Sequence, residues 1–343
     1  MGILLLILVL WCRHSVPAAD WYAAHLYPYI SAALSWLAAP FGFSLTELVV
    51  VAAVVVFIGM IIRAFRRHWG FWKGLWRIAL FLIWIYVWFY GAWALNYSRS
   101  DIYARIGTVP SHYEETDFQE FLGVLAEELN EHWQPVETVD SAAVERHVKA
   151  WYASLPAEAG LCQPRSWQHP KRLTFNRLQS AVGVLGFVGP FFDEMQLNSD
   201  MTPLEYPFVF AHEYAHVLGV SGEAEANFWA FEASRASDDP AVRYSAWYML
   251  LTYSWRNIQS LLGEEAFLAW TGTLRPEILE DLQRTQEHWE SLRWTALARA
   301  QKRFYNFFLR SNRIADGTKN YGEVLRLVLT FSDWHEHDHG EEE

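Results

Sequence analysis

Cysteine is nearly missing from this chain: 343 residues hold two, Cys12 and Cys162. A disulfide-rich scaffold and a thiolate zinc ribbon are both excluded. Charge is sparse, at 19% of residues, where about 25% is usual. Positive charge is in deficit, and a net charge of −12 argues against a nucleic-acid partner. No internal repeat marks a solenoid or array. Disorder is excluded from the other side, because 52% of the residues are apolar. The length leaves room for roughly two domains and a real core.

The charge that exists is unevenly placed. Residues 1–100 carry seven basic and two acidic residues, a net +5; the remaining 243 carry 20 basic and 37 acidic, a net −17. A membrane portion over 1–97, followed by a water-exposed domain over 98–332, accounts for this split. Two long apolar runs agree. Residues 45–62, LTELVVVAAVVVFIGMII, hold one charge, Glu47. As a helix they rise about 27 Å, close to the hydrocarbon thickness, and Ser44 with Glu47 has the spacing of a capping box. Residues 78–95, IALFLIWIYVWFYGAWAL, hold no charge and are rich in interfacial Trp and Tyr. Spanning helices are expected at about 45–63 and 77–97.

A further helix is expected at about 1–13. Its missing basic start, and the bulky Trp11 before Cys12, favour an uncleaved helix over a signal peptide or lipoprotein leader. Arg63, Arg66, Arg67, Lys73 and Arg77 crowd the loop between the two longer spans, which makes that loop cytoplasmic by the positive-inside rule. The expectation is then a multi-pass protein of a bacterial inner (plasma) membrane, with the domain after residue 98 extracytoplasmic. Segment 20–43 lies on that same side, along the interface or capping the domain.

The expected fold is mainly α, an α-rich domain with a small β element behind the membrane helices. Thr116 and Gln119 suggest a capped helix to about Trp133, and Asp140 caps another that ends before Pro156. Residues 182–197 mix β-branched and aromatic residues with glycines, as in an irregular strand or hairpin at an edge. Helices follow at Tyr206–Gly219, about 223–237, from Asp239-Pro240 to about Leu262, over 276–312 as one helix or a broken pair, and at 321–331. The tail, residues 333–343, alternates three His with acids and reads as a solvated end with some capacity for metal.

Chemistry concentrates at His212-Glu213-Tyr214-Ala215-His216. On a helix, positions i and i+4 share a face one turn apart, so the two imidazoles can bind one metal ion. Glu213 sits on the rim of that face, where it can hold and deprotonate a water: this is the HExxH arrangement of zinc sites. The flanks are apolar, and two His with a Glu inside an apolar helix are costly unless something satisfies them. A Zn2+ ion would do so. No His follows at a spacing suited to a third ligand, but Glu223, Glu225 and Glu232 do. The third ligand is therefore a glutamate of the next helix: Glu223 by preference, Glu225 as the alternative, with helix register deciding.

Glu223 with Asn227 resembles the Glu-x-x-Ala-Asp pattern of gluzincin-type membrane peptidases, the CAAX prenyl proteases and the heat-shock HtpX type. The resemblance implies that the Glu binds zinc and that residue 227 orients a ligand imidazole. Asn replaces Asp here, so polarisation of the ligand is weaker. The chain as a whole resembles a bacterial family of membrane-anchored HExxH proteins, domain of unknown function 3810. The matching residues run from Trp21-Tyr22 and Tyr27-Pro28-Tyr29 through Phe43-Ser44-Leu45 and the HExxH to Glu225-Ala226-Asn227-Phe228, Tyr305-Asn306, Leu309, Asp316-Gly317 and Tyr321-Gly322. This family implies a zincin-like domain and has no settled substrate.

The expected function is a membrane-anchored zinc metallopeptidase. His212, His216 and Glu223 hold zinc, Glu213 is the general base, and a peptide or protein is the substrate. The strand near Gly183–Phe192 would take an extended peptide by strand addition. Arg243, Tyr244, Tyr248, Tyr253 and Arg256 are candidates for stabilising the oxyanion. The alternative is a non-hydrolytic membrane protein of peptidase-like fold that binds a peptide or partner; a third reading is hydrolysis of a non-peptide amide.

Overall fold

The computed structural model describes residues 1–66, 70–110, 115–312 and 321–331. Arg67 of the basic loop, Asp316-Gly317 and the 333–343 tail lie outside the described residues. The chain begins with α1 (Gly2–Arg13), α2 (Val16–His25) and α3 (Tyr27–Ala38), then two long apolar helices, α4 (Leu45–Phe65) and α5 (Phe71–Ala92). Among the described residues, α4 and α5 are the helices that are each long and apolar enough to cross a bilayer.

The first helix ends where expected, at Arg13. α1 has 12 residues, and α2 leaves it at 106°. Twelve residues rise about 18 Å, well below the roughly 30 Å of hydrocarbon, so α1 would cross only as part of a bent pair. The break has a local cause. Ser15 Oγ accepts from the Ala18 N–H at 3.4 Å, and Pro17 occupies the first turn of α2, where its missing N–H costs nothing.

α4 starts where the spacing predicts, with Ser44 Oγ accepting from the Glu47 N–H at 3.1 Å. The Glu47 carboxylate does not return to Ser44, however. It accepts from the N–H groups of Thr174 and Phe175, at 2.6 and 3.2 Å. Glu194 accepts from the N–H groups of Leu45 and Thr46, at 3.0 and 2.8 Å. Two carboxylates thus fasten the start of α4 to the domain and complement its helix dipole. α5 begins before the apolar run, because exposed Lys73 and Arg77 in its first turns can reach water along their stems. Past Ala92 the chain tightens into a 3-10 turn, Ala94–Ser98.

Segment 20–43 caps the domain. Tyr27 is fully buried and donates to the Val217 carbonyl at 2.8 Å, while Ser31 donates to Asp193. Lys171 Nζ donates to the carbonyls of Ala38 and Phe41 at 2.8 and 2.6 Å. The N-terminal helices and the later domain therefore share buried polar contacts.

The domain runs α6 (Ile102–Ile106), α7 (Glu115–His132), α8 (Ser141–Ser154), α9 (Asn176–Val182), β1 (Gly186–Gly189), β2 (Glu194–Leu197), α10 (Tyr206–Val217), α11 (Glu223–Arg235), α12 (Pro240–Thr271), α13 (Pro276–Leu292), α14 (Thr295–Ser311) and α15 (Tyr321–Phe331). Asp140 and Asp239 cap α8 and α12 as expected, accepting from N–H groups of Ala142, Ala143 and Ala241. Thr116 lies inside α7, which already includes Glu115. α12 loses helical geometry at Gly263, next to its expected end at Leu262. β1 and β2 form an antiparallel hairpin, pairing Gly186 with Leu197 and Gly189 with Glu194. α10 lies at the centre, packed on α8, α11, α12 and the hairpin, and every residue from Pro207 to Val217 is buried.

Candidate metal centre

One turn of α10 separates His212 from His216, and their Nε2 atoms lie 3.1 Å apart. The end of the helix is shaped by Gly219. Its φ of +98° favours glycine, and it lets the Gly219 N–H reach the His216 carbonyl and the Val220 N–H reach the Ala215 carbonyl. This reversal brings the Val220 carbonyl back to 2.6 Å from His216 Nδ1. In the neutral imidazole that bond keeps the proton on Nδ1 and turns the Nε2 lone pair towards His212 and Glu223. The other carbonyls at this helix end are taken by N-terminal and linker groups: Trp93 Nε1 donates to His216 O at 2.9 Å, and the Cys162 N–H to Leu218 O at 2.9 Å.

The chain then turns into α11, whose first residue is Glu223. Its Oε2 lies 3.4 Å from His212 Nε2 and 3.7 Å from His216 Nε2. Its other oxygen, Oε1, accepts from the Tyr305 hydroxyl of α14 at 2.6 Å. One carboxylate oxygen is thus turned to the imidazoles and the other is held away. Burial opposes ionisation of Glu223, but the two imidazoles outweigh it and hold its carboxyl well below the usual range. Burial would also push the His216 imidazolium down; Glu223 and Glu213 outweigh that and raise it to about 9. Tyr305 is pushed above the ordinary phenol range by burial and by Glu223, so it remains a donor at any working pH.

Glu213 faces the same space. Burial raises its carboxyl, and the His212 and His216 imidazoles act against that rise. Its Oε2 is buried without a partner. β1 passes directly over it: a Cβ at Gly186 would sit 2.7 Å from Glu213 Cγ. These groups line a cleft of about 610 Å³ whose walls also include Phe89, Trp93 and Tyr97 from the exit of α5, and residues 183–188 of the hairpin.

Register decides between the two glutamates. Glu225 points away from the imidazoles, pairs with Arg105 and accepts from Trp229 Nε1 at 3.0 Å. Glu232 is paired with Arg235. Asn227 lines the cleft, but the expected bond to an imidazole is not formed: Asn227 Oδ1 and His212 Nδ1 are both buried without a partner. Of the five oxyanion candidates, Tyr253 alone lines the cleft. Arg243 donates to Ser237 O, Tyr244 to Asp281 and Tyr248 to Thr285, while Arg256 is exposed.

Three contributors are absent from the sequence-based set of site residues: Tyr305, Trp93 and the Val220 carbonyl. Tyr305 had two signals, its place among the family-matching residues and its position with Gln301 on one face of an amphipathic helix. The Val220 carbonyl follows from the turn at Gly219, whereas Trp93 reaches the His216 carbonyl across 123 residues, which no spacing rule encodes.

No curated protein and no solved structure matches the chain. A family model does match, DUF3810, described as a protein of unknown function; it covers residues 22–329, including the helices that carry His212, His216, Glu223 and Tyr305. The chain belongs to the DUF3810 family.

Proposed function

We propose that this protein is a membrane-anchored zinc-dependent peptidase with a zincin-like, gluzincin-type site. The observation that carries the reading is the donor set. His212, His216 and Glu223 offer ligand atoms that all lie within 4.8 Å of one another. Donors on a tetrahedron with bonds of about 2.0–2.1 Å stand about 3.3 Å apart; here the separations are 3.1, 3.4 and 3.7 Å. Two neutral imidazoles and one carboxylate are a common zinc set. Three buried polar atoms without partners, His212 Nδ1, Glu213 Oε2 and Asn227 Oδ1, belong to residues lining the same cleft, as suits a site that takes a polar guest.

Zinc in such a site supplies Lewis acidity, polarising a carbonyl and acidifying water. The protein's own groups do the rest. Glu213 takes the proton from the attacking water and delivers it to the leaving amine, and its raised pKa suits both steps. Tyr305 and the Val220 carbonyl hold Glu223 and His216 in their binding orientations. Tyr253 stabilises the oxyanion. β1 pairs only with β2 among the described residues, and its residues line the cleft, so an extended peptide adds to it as a strand. In this reading the basic loop between α4 and α5 is cytoplasmic and the cleft is extracytoplasmic, close to the membrane surface.

The test is casein hydrolysis by detergent-purified protein, with Glu213→Gln alongside. Hydrolysis by wild type, lost in a variant that keeps its zinc, is the expected result. Hydrolysis surviving in Glu213→Gln would remove Glu213 as the base. Zinc without cleavage of casein would favour the partner-binding reading, and cleavage of a muropeptide alone would move the substrate to a non-peptide amide.

A further inference from the structure

α14 combines features that differ from the rest of its half of the chain. Residues 101–343 are strongly acidic, yet α14 carries Arg299, Lys302, Arg303 and Arg310 and no acidic residue. Its inward face is ordinary: Ala298 is buried, and Gln301 and Tyr305 line the cleft. Beside that face, Phe304 and Phe307 are each 71% exposed, and Trp294 just before the helix is 62% exposed. Large aromatics this open, next to exposed Arg299, Lys302 and Arg303, are costly in water and are the composition of a helix lying in a lipid interface.

The two ends of α14 show where that interface is. At its C-terminal end, Asn312 Oδ1 accepts from Tyr90 of α5 at 2.7 Å, and the Ser311 carbonyl accepts from Arg13 of α1 at 2.9 Å. Tyr90 is in the last turn of α5, so this end of α14 is fixed at the exit of an apolar helix. At the N-terminal end, the Trp294 N–H donates to Ala181 of α9 at 2.8 Å. Phe175, just before α9, is held by Glu47 in the first turn of α4. α14 therefore runs from the exit of α5 to α9, whose other end is held by the start of α4. At 1.5 Å per residue, Phe307 and Phe304 stand about 6 and 10 Å along the helix from Ser311, within reach of the boundary that Tyr90 marks.

We propose that α14 is an interfacial helix, with Phe304 and Phe307 seated among acyl chains and Arg299, Lys302 and Arg303 on anionic phospholipid headgroups. The partner is the bilayer that α4 and α5 cross, so the proposal rests on those two helices being spans. Continuity with the exit of α5 and the complementary charge favour lipid over a second protein.

Nitroxide labels test this in full-length protein reconstituted into phosphatidylethanolamine–phosphatidylglycerol vesicles. Single cysteines are placed at 304, 307, 299 and 303 on a Cys12→Ala, Cys162→Ala background, with one at Val55, an exposed position in the middle of α4. Power saturation with oxygen and with a water-soluble nickel reagent then reads depth. The expected result is a severalfold higher oxygen-to-nickel ratio at 304 and 307 than at 299 and 303, with Val55 deeper still. A deep label at Val55 with aqueous labels at 304 and 307 overturns the proposal and leaves the spans intact. An aqueous label at Val55 overturns both. Dipolar broadening at 304 or 307 that grows with the protein-to-lipid ratio identifies a second copy as the occupant and also overturns it. As a check that does not need labelled protein, trypsin should cut wild type after Arg299, Lys302 or Arg303 severalfold more slowly in these vesicles than in phosphatidylcholine alone. Equal rates would count against the headgroup contacts.

Discussion

α10 and α14 approach the same carboxylate from two sides and are held in different ways. α10 brings His212 and His216 to Glu223 Oε2 and is buried from Pro207 through Val217. α14 brings Tyr305 to Glu223 Oε1 and leaves Phe304 and Phe307 open. The helix that carries the two imidazoles is fixed by close-packed protein everywhere but at the cleft, and small displacements there are resisted. The helix that carries Tyr305 is packed on protein along its inward face. The donor geometry should therefore survive changes on α14 and fail when an imidazole of α10 is removed.

The largest effect separates chemistry from binding within α10 itself. Glu213→Gln should lower peptide hydrolysis on the order of 10²–10⁴-fold, the usual worth of a general base, and leave zinc content unchanged. Loss of zinc as well would make Glu213 part of the binding set.

A second effect lies where the N-terminal helices meet the hairpin. Burial raises the Asp193 carboxyl to about 7, against hydrogen bonds from Ser31 and Tyr27 that lower it. Its folded pKa exceeds the unfolded value of about 3.9, so the native state binds the extra proton between those values. Stability from this group is complete below about pH 4 and is lost as pH rises towards 7, by at most about 4 kcal/mol. Thermal midpoints of wild type should fall more steeply across that window than those of Asp193→Asn. An equal slope in the two proteins would assign the titration elsewhere.

Gly219→Ala comes next. The +98° φ is strained for alanine, and its Cβ would lie 2.9 Å from the Tyr27 ring, so a loss of roughly 1–3 kcal/mol is expected. Gly263→Ala sharpens the contrast. It has a similar φ of +75° but nothing within 4 Å of the added carbon, so chemical denaturation should show a smaller loss. Equal losses would remove the role of the Tyr27 contact. The smallest effect falls on α14: Tyr305→Phe keeps the ring and deletes the donor to Glu223. Zinc affinity should drop about tenfold, read by competition with a chelator, at unchanged thermal stability. An unchanged affinity would leave Tyr305 with a packing role alone.

Much of the centre of this molecule is legible in sequence because its rules are local. The i, i+4 pair at 212 and 216, the αL turn at Gly219, the Asp140 and Asp239 caps and the apolar lengths of α4 and α5 depend on neighbours within a few residues. What escapes depends on the path of the chain. Tyr305 meets Glu223 across 82 residues, and Glu225 is removed from the metal set by Arg105, 120 residues earlier. Asn227 shows the limit of pattern matching. Spacing puts it on the right face, but its oxygen and His212 Nδ1 are left apart. The end of α1 at Arg13 is legible from the apolar run stopping at Trp11, and Ser15 with Pro17 carries the signal for the start of α2.

The most direct test of the account is bound metal per chain, by mass spectrometry, on detergent-purified wild type, Glu225→Gln, Glu223→Gln and His216→Ala. The account predicts about one zinc in wild type and in Glu225→Gln, matching one tetrahedral site, and its loss from Glu223→Gln and His216→Ala. Zinc lost with Glu225→Gln but kept by Glu223→Gln, or absent from a folded wild type supplied with zinc, would contradict it.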